Sequence, residues 1–437
     1  MDLLRSIFKG DKVVWLLFLA LCVISVVEVF SASSTLTYKS GDHWGPITQH
    51  CFLLMAGVVI VLVVHNIPYK YFRTANNLLL PLSVVLLAIV ALLGYSGDRV
   101  NGAARWMEFA GVQFQPSELA KMAVIIFTAS QLARGQDENG ARPAAFKWIC
   151  IVSVIMAALI VPENFSTGAL LLLTVYVMMI IGRVQASKLL ILGGGVAAVV
   201  FVFVAFLLIT PNSTLSQIPG GHRFTTVKER ITGFASNEEV PAAKFDIDEN
   251  AQVAHARIAI ASSNVFGKGP GNSVERDFLS QAFSDFIFAI IIEELGLVGG
   301  FFVVFLYVCL LIRVGKIARK CDRTFPAFLV IGIGLLLVIQ AMFNMMVAVG
   351  LAPVTGQPLP LISKGGTSTW INCAYIGIIL SVSRYTVKLE EEKRAQQEAE
   401  AQTVPLLEAG DQEHNEMKTV EEMTSDEMSV NNDTEME

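Results

Sequence analysis

Ten apolar runs leave this chain few folds to choose from: 13–32, 47–65, 77–95, 117–134, 145–162, 165–182, 188–210, 283–313, 325–350 and 367–385. Each lies near the roughly 20 residues that a helix needs to cross the hydrocarbon of a bilayer. Lipid offers no water to bond backbone N–H and C=O groups, so a run of this length must satisfy them internally, as a helix. The sequence therefore predicts an all-α, polytopic integral membrane protein with about ten transmembrane helices. Composition agrees, since 54% of residues are hydrophobic and only 16% charged, with a mean hydropathy of +0.58. That balance is not the balance of a soluble globular domain.

The formal net charge of −6 hides two regions of opposite sign. Residues 386–437 hold sixteen Asp/Glu against four Lys/Arg, which leaves the preceding 385 residues at +6. A basic body and an acidic tail suggest no nucleic-acid partner. In the short connections, Arg5, Lys9 and Lys12, then Lys70 and Arg73, Arg134, Arg142 and Lys147, Arg183 and Lys188, and finally Arg313, Lys316, Arg319, Lys320 and Arg323 share one face. The positive-inside rule makes that face cytoplasmic, and an even number of spans puts both termini there. The first apolar run is long enough to act as an uncleaved anchor. The expected division is a cytoplasmic N-terminus (1–12), a ten-span membrane domain (13–385) and a disordered, acidic cytoplasmic tail (386–437) that begins as a charged continuation of the last helix. Between spans seven and eight runs a large extracytoplasmic loop, 211–282, too long to be a mere connector. Within it, Phe224–Phe234 reads either as a short interfacial helix or as a solvated loop. The six cysteines form no disulfide framework and no metal-type CxxC spacing.

Four polar clusters rich in Gly and Pro interrupt the apolar pattern, and all four fall on the outer face. A reaction centre assembled on one side of the membrane would produce that coincidence. In the first, Asn101–Lys121, Pro116 suits the first turn of a helix and Glu118 suits its positive end. Lys121 lies one turn further in, where Glu118 can pair with it, either as a purely structural ion pair or as part of a working site. Arg105 and Trp106 either anchor an interfacial loop or, for Arg105, meet a lipid diphosphate. In the second cluster, Pro162–Gly168, Glu163 and Asn164 either cap the next helix or contribute to the site. The third, Gly267–Ser273, can form an anion nest to which Lys268 and Arg276 add charge; it lacks the spacing of a P-loop. The fourth, Leu351–Ser368, carries three prolines and three glycines and is either a plug or a cavity-lining loop, with Ser363, Lys364 and Thr367 able to hydrogen-bond a substrate. Gln340 and Asn344, one turn apart on the preceding span, read as interhelical hydrogen-bonding groups.

The fourth and third clusters flank Phe278–Gly296, which brings Asp285, Glu293 and Glu294 into an apolar helix. Ionisable groups in a membrane segment are costly and mark working sites. Asp285 reads either as a cap at the outer end of span eight or as a catalytic base, since a helix N-terminus favours the carboxylate form. Glu293, about 12 Å deeper on an ideal helix and about 80° round it, is too distant for the close dyad of a retaining glycosidase. A single base suits attack by an acceptor hydroxyl on a sugar carbon with a diphosphate leaving group, which needs cations and no general acid.

The clusters GAARW (102–106), QPSELAK (115–121), GKGPGNS (267–273), SDFIFAIIIEELGLVGG (284–300) and PVTGQPLPLISKGGTS (353–368) together resemble the SEDS family of bacterial cell-wall polymerases, the FtsW, RodA and SpoVE proteins. The AHARIAIASSNVFGKGPGNS stretch is more similar to its division-specific FtsW branch than to its elongation-specific RodA branch. The resemblance covers 13–385. It implies a peptidoglycan glycosyltransferase that polymerises lipid II, an undecaprenyl-diphosphate-linked disaccharide peptide, at the outer face of the bacterial inner membrane during septal synthesis. By position it implies Asp285 as the base activating the acceptor 4-hydroxyl, with Arg105, Glu118, Lys121 and Ser363 on motif positions of the site. It also implies a divalent cation (Mg or Mn), an FtsI-like class B penicillin-binding transpeptidase and other divisome proteins as partners.

The chain departs from the family pattern in four places. PENFST stands for the usual PD(L/F)GT, LSQAF for the segment ending in His before the catalytic Asp, Lys364 for a common Tyr, and Ser262–Asn264 for a usual glycine pair. The rival readings are a lipid II flippase, an elongation polymerase and a non-catalytic scaffold. A flippase would need polar groups on both faces, whereas here the motifs gather outside.

Overall fold

The computed structural model describes residues 9–32, 45–95, 107–109, 112–137, 140–162, 164–215, 224–225, 227–229, 231–232, 250–279 and 283–398, without the side chains of 46, 93–95, 108, 109, 112, 113, 250 and 251. It separates into a first unit, Met1–Arg384, and a second, Tyr385–Glu437. In the first unit, helices stand at all ten expected positions: α1 (Lys12–Ala32), α2 (Gly45–Val64), α3 (Tyr69–Tyr95), α4 (Pro116–Ala133), α5 (Pro143–Ile160), α6 (Phe165–Ile181) and α7 (Ala186–Ile209), then, after a shorter α8 (Asn250–Ser262), α9 (Ile287–Arg319), α10 (Thr324–Ala348) and α11 (367–384). By length and apolar composition, α1, α2, α3, α5, α7, α9 and α10 each suffice to cross a membrane. The 17-residue α6 is apolar but shorter. α4 carries buried Glu118 and Lys121, and α11 carries buried Asn372, so these two are inner helices with polar business.

The core is built around α4, α9, α10 and α11. Ile125 and Ile126 of α4, Val303 and Leu310 of α9, Leu329 and Ile333 of α10, and Ile376 and Ile379 of α11 are almost fully buried. α7 lies at the opposite extreme: only Leu189 and Leu207 are buried along its 24 residues. A face of Val, Leu, Ile and Phe left open in this way is ordinary where the surrounding solvent is lipid.

Side-chain contacts gather the connections into two groups at opposite ends of the helices. At one end Asp11, before α1, takes Arg313 Nε from the end of α9 at 2.6 Å, Arg384 Nη1 reaches Asn66 Oδ1 at 3.0 Å, and Thr324 Oγ1 reaches Ala133 O at 3.4 Å. At the other, Ser31 at the end of α1 meets Arg276 at 2.9 Å and Gln357 meets Thr167 at the start of α6 at 2.8 Å. This is the partition that the Lys/Arg pattern predicts, with the basic connections on one face and the Gly/Pro clusters on the other.

Two differences from the sequence reading, and one alternative that it left open, matter for the site. The predicted loop 211–282 contains α8, whose small residues Ala256 and Ala259 are buried, and whose His255 bonds Glu275 at 2.6 Å and stacks on Phe278 with ring centroids 5.0 Å apart. Residues 224–225, 227–229 and 231–232 of the candidate interfacial helix are helical, and Phe224 packs on Phe203 of α7. An antiparallel hairpin, β1 (Met107–Phe109) and β2 (Val112–Phe114), leads into α4. Arg105 lies outside the described residues, as does Glu163. In the second unit residues 385–398 are helical, with Lys388 paired to Glu392 at 3.7 Å. The disorder expected for the tail concerns 399–437, outside the described residues.

Candidate active site

Asp285 is not in a helix. The eighth span was expected from residue 283, yet α9 starts at Ile287 and its cap position, Phe286, has no side-chain capping bond. The backbone bonding explains the late start. Lys364 N donates to Phe283 O at 2.9 Å, Ser363 Oγ to Ser284 O at 2.6 Å and Asn344 Nδ2 to Asp285 O at 2.9 Å. Three successive carbonyls that a helix would give to its own amides are instead held by other segments. The capping role for Asp285 is thereby set aside; its half-buried carboxylate accepts from Ser284 Oγ at 3.1 Å.

The loop that grips this turn is itself gripped from four helices. Leu361 sits at φ +67°, a conformation a branched side chain adopts at a cost of order 1–3 kcal/mol. Around it, Gln340 Nε2 donates to Pro358 O at 3.1 Å, Tyr307 OH to Pro360 O, and Ser25 Oγ to Ile362 O at 2.6 Å. His50 on α2 stands behind Ser25 at 2.9 Å. Ser363 closes the arrangement by accepting from Leu359 N at 2.8 Å while it donates to Ser284 O. Backbone at membrane depth needs such partners because water is scarce there. Ser25, Tyr307 and Gln357 were not singled out in the sequence; their only signal is a lone polar group on an apolar helix or in a Pro-rich loop. Gln340 and Asn344 perform the bridging role expected of them.

Lys364 brings its charge to the same place. Its ammonium lies 5.8 Å from the ring centre of Phe283, and burial pushes its pKa below the usual lysine value. Phe283 and Lys364 are neighbours in space.

Glu118 and Lys121 form a buried pair at 2.8 Å, about 1–3% exposed. Lys121 Nζ also donates to Gln340 Oε1 at 2.9 Å. The pair therefore reaches the gripping loop through Gln340, and in this conformation both side chains are closed to the outer surface. Asn164 accepts from Thr167 N at 3.2 Å and caps α6, which realises the capping alternative for that residue.

The Gly-rich cluster is an anion nest, and its anions come from the chain itself. α9 breaks at Gly296 (φ +72°, ψ −172°). The break frees the carbonyls of Glu293 and Glu294 to accept from Lys268 N at 3.0 Å and Gly269 N at 2.8 Å, and the amides of Leu297 and Val298 to reach Asn264 O and Val265 O. A Cβ on Gly296 would stand 2.2 Å from Val265 O, and one on Gly267 would stand 2.3 Å from Glu294 O. The carboxylates fill the nest: Glu293 takes Lys268 Nζ at 2.6 Å, Val274 N at 3.1 Å and Ser273 Oγ. Glu294 takes Gly271 N at 2.9 Å, Ser273 N at 3.3 Å and Ser31 Oγ. Lys268, expected to contact substrate, is thus engaged within the chain. No cluster of three His, Cys, Asp or Glu suited to a metal occurs among the described residues.

A family model described as a cell cycle protein, covering FtsW, RodA and SpoVE, matches residues 11–388. The chain belongs to the FtsW/RodA/SpoVE family. Members similar to it include a probable peptidoglycan glycosyltransferase FtsW from Trichlorobacter lovleyi, 31% identical over 389 residues that cover 88% of this chain and 96% of the relative. The protein of the same description from Halomonas elongata is 32% identical over 400 residues, covering 89% and 94%. Among solved structures, a chain of a peptidoglycan synthase complex that coordinates polymerization and crosslinking superposes with a TM-score of 0.68 at 21% identity, covering 87% of this chain and 99% of that one. RodA of Thermus thermophilus gives 0.59 at 22%, covering 86% and 97%. The fold is that of this family, and the chain is a multi-pass membrane protein.

Proposed function

We propose that this family member is a peptidoglycan glycosyltransferase that polymerises lipid II on the outer face of the bacterial inner membrane during division, with both termini in the cytoplasm. The observation that carries the reading is the turn at 283–286: a half-buried carboxylate on backbone fixed by the loop 357–364 and by α10. Asp285 accepts the proton of the acceptor sugar's hydroxyl as the oxygen attacks the anomeric carbon of the donor. The bond from that carbon to the lipid diphosphate breaks, and the diphosphate leaves with the electron pair. Cations stabilise the charge that develops on the leaving group, a role for Lys364 beside the turn and for Arg105. Glu118, Lys121 and Ser363 position the loop, and Lys268 holds the nest. The resemblance also implies a divalent cation; the steps above rest on protein side chains alone. A class B penicillin-binding transpeptidase, which cross-links the new strands, and other divisome proteins are the partners that fit this activity.

The Lys/Arg partition supports the orientation, and the relatives named as glycosyltransferases support the reaction. The test is to incubate the purified protein and its cognate transpeptidase with lipid II and resolve the products by glycan chain length. Polymer is expected. Transbilayer movement of lipid II in vesicles without polymer would replace this reading with that of a flippase.

A further inference from the structure

Asn344, on α10, donates both of its amide hydrogens to the site. Nδ2 stands 2.9 Å from Asp285 O and 2.8 Å from Gln357 O. The side chain is 1% exposed. Both neighbours are carbonyls, so the amide has one workable orientation: turning it over would set Oδ1 against two acceptors. Oδ1 itself has no hydrogen-bond partner among the described residues, which leaves the two donated bonds as the polar contacts that fix the group. Gln357 in turn donates to Thr167 Oγ1 at 2.8 Å, and Gln340, one turn earlier on α10, carries the Glu118–Lys121 pair to Pro358 O.

We propose that Asn344 is a positioning residue for Asp285, joining the catalytic turn to the loop at Gln357 so that the carboxylate is held at a fixed height above α9. The inference rests on Asp285 being the base. It adds a residue whose action is exerted through backbone and so would not be found by looking for groups that face substrate. A turn that is not helical has no ladder of its own to hold it, and Asn344 bonds the carbonyl of Asp285 itself. Without it the turn keeps the grips at 283 and 284 but loses the last before the helix begins. A displacement of about 1 Å in a reacting group costs up to about a hundredfold in rate.

The test uses the full-length protein with its transpeptidase and lipid II as substrate. Asn344→Leu removes both donors at similar volume, and Asn344→Asp keeps the shape but sets a carboxylate against the two carbonyls. For both, kcat per folded molecule is expected to fall by about tenfold to a hundredfold while KM for lipid II stays within about twofold. Asn344→Gln, which keeps a donor, should recover part of the loss. Asp285→Asn is measured in parallel. An inactive Asp285→Asn beside Asn344→Leu with unchanged kcat would overturn this inference alone. Full activity in Asp285→Asn would instead overturn the assignment of the base. A loss of folded protein in both Asn344 variants with unchanged kcat per folded molecule would also overturn it, because Asn344 would then serve stability only.

Discussion

Asp285 and the Glu293–Glu294 pair lie within ten residues of each other, and their surroundings differ in kind. The two glutamates are fully buried, and their oxygens are filled by Lys268, by the hydroxyls of Ser31 and Ser273 and by loop amides. Asp285 is half-buried in a turn whose three successive carbonyls are held by two other segments, the loop 357–364 and α10. The first arrangement spends its charge on joining the Gly-rich loop to the broken helix. The second fixes a main chain and keeps the carboxylate half-buried, with Ser284 Oγ donating to it at 3.1 Å. A carboxylate's place in an apolar run of sequence is therefore a poor guide to its task; what its oxygens and its backbone are bonded to separates the two.

Substitution should separate them in the same way. Asp285→Asn is expected to lower polymerisation by about 10²- to 10⁴-fold, the range for a positioned general base, with the thermal midpoint close to that of the unaltered protein. Glu293→Ala strands Lys268 and the amide of Val274 and is expected to cost about 3–5 kcal/mol of stability, read as a lowered thermal midpoint in detergent. If Glu293→Ala were instead fully stable, the contrast would fail. Gly296→Ala places a side chain at φ +72° against Val265 O and should cost at least about 1–3 kcal/mol, visible as reduced recovery of folded protein. Ser363→Ala removes one bond to Ser284 O and one from Leu359 N. It should lower stability by about 0.5–1.5 kcal/mol per bond and reduce kcat more than it raises KM.

The smallest effect is one of pH. Burial lowers the pKa of Lys364, so its charge is lost at a lower pH than an ordinary lysine's. KM for lipid II is expected to rise as pH passes through that value. Lys364→Arg should hold KM flat over the same range, and an identical rise in the arginine variant would remove Lys364 from diphosphate binding.

Much of the fold was legible because membrane solvation admits so few solutions. Ten runs of apolar residues correspond to ten helices, and the alternation of Lys and Arg foretold which connections share an end. The late start of α9 was not legible, because Phe283, Ser284 and Asp285 have helix-compatible side chains and only the competing donors on Asn344, Ser363 and Lys364 decide their backbone. The hairpin before α4 was missed although MEF and VQF alternate about Ala110–Gly111. α8 was missed because its buried side chains are alanines, which give little periodic signal. The Gly-rich nest reads as an anion site, but the sequence does not say that its anions are Glu293 and Glu294, twenty or more residues away.

The most direct test of the account is glycan polymerisation from lipid II by the purified complex carrying Asp285→Asn or Asp285→Ala, normalised to folded, partner-bound protein. The account predicts long strands from the unaltered chain and none above background from either variant, with thermal midpoints preserved in all three. Strands of normal length and rate from both variants would contradict it, and would move the search for the base away from the turn at 283–286.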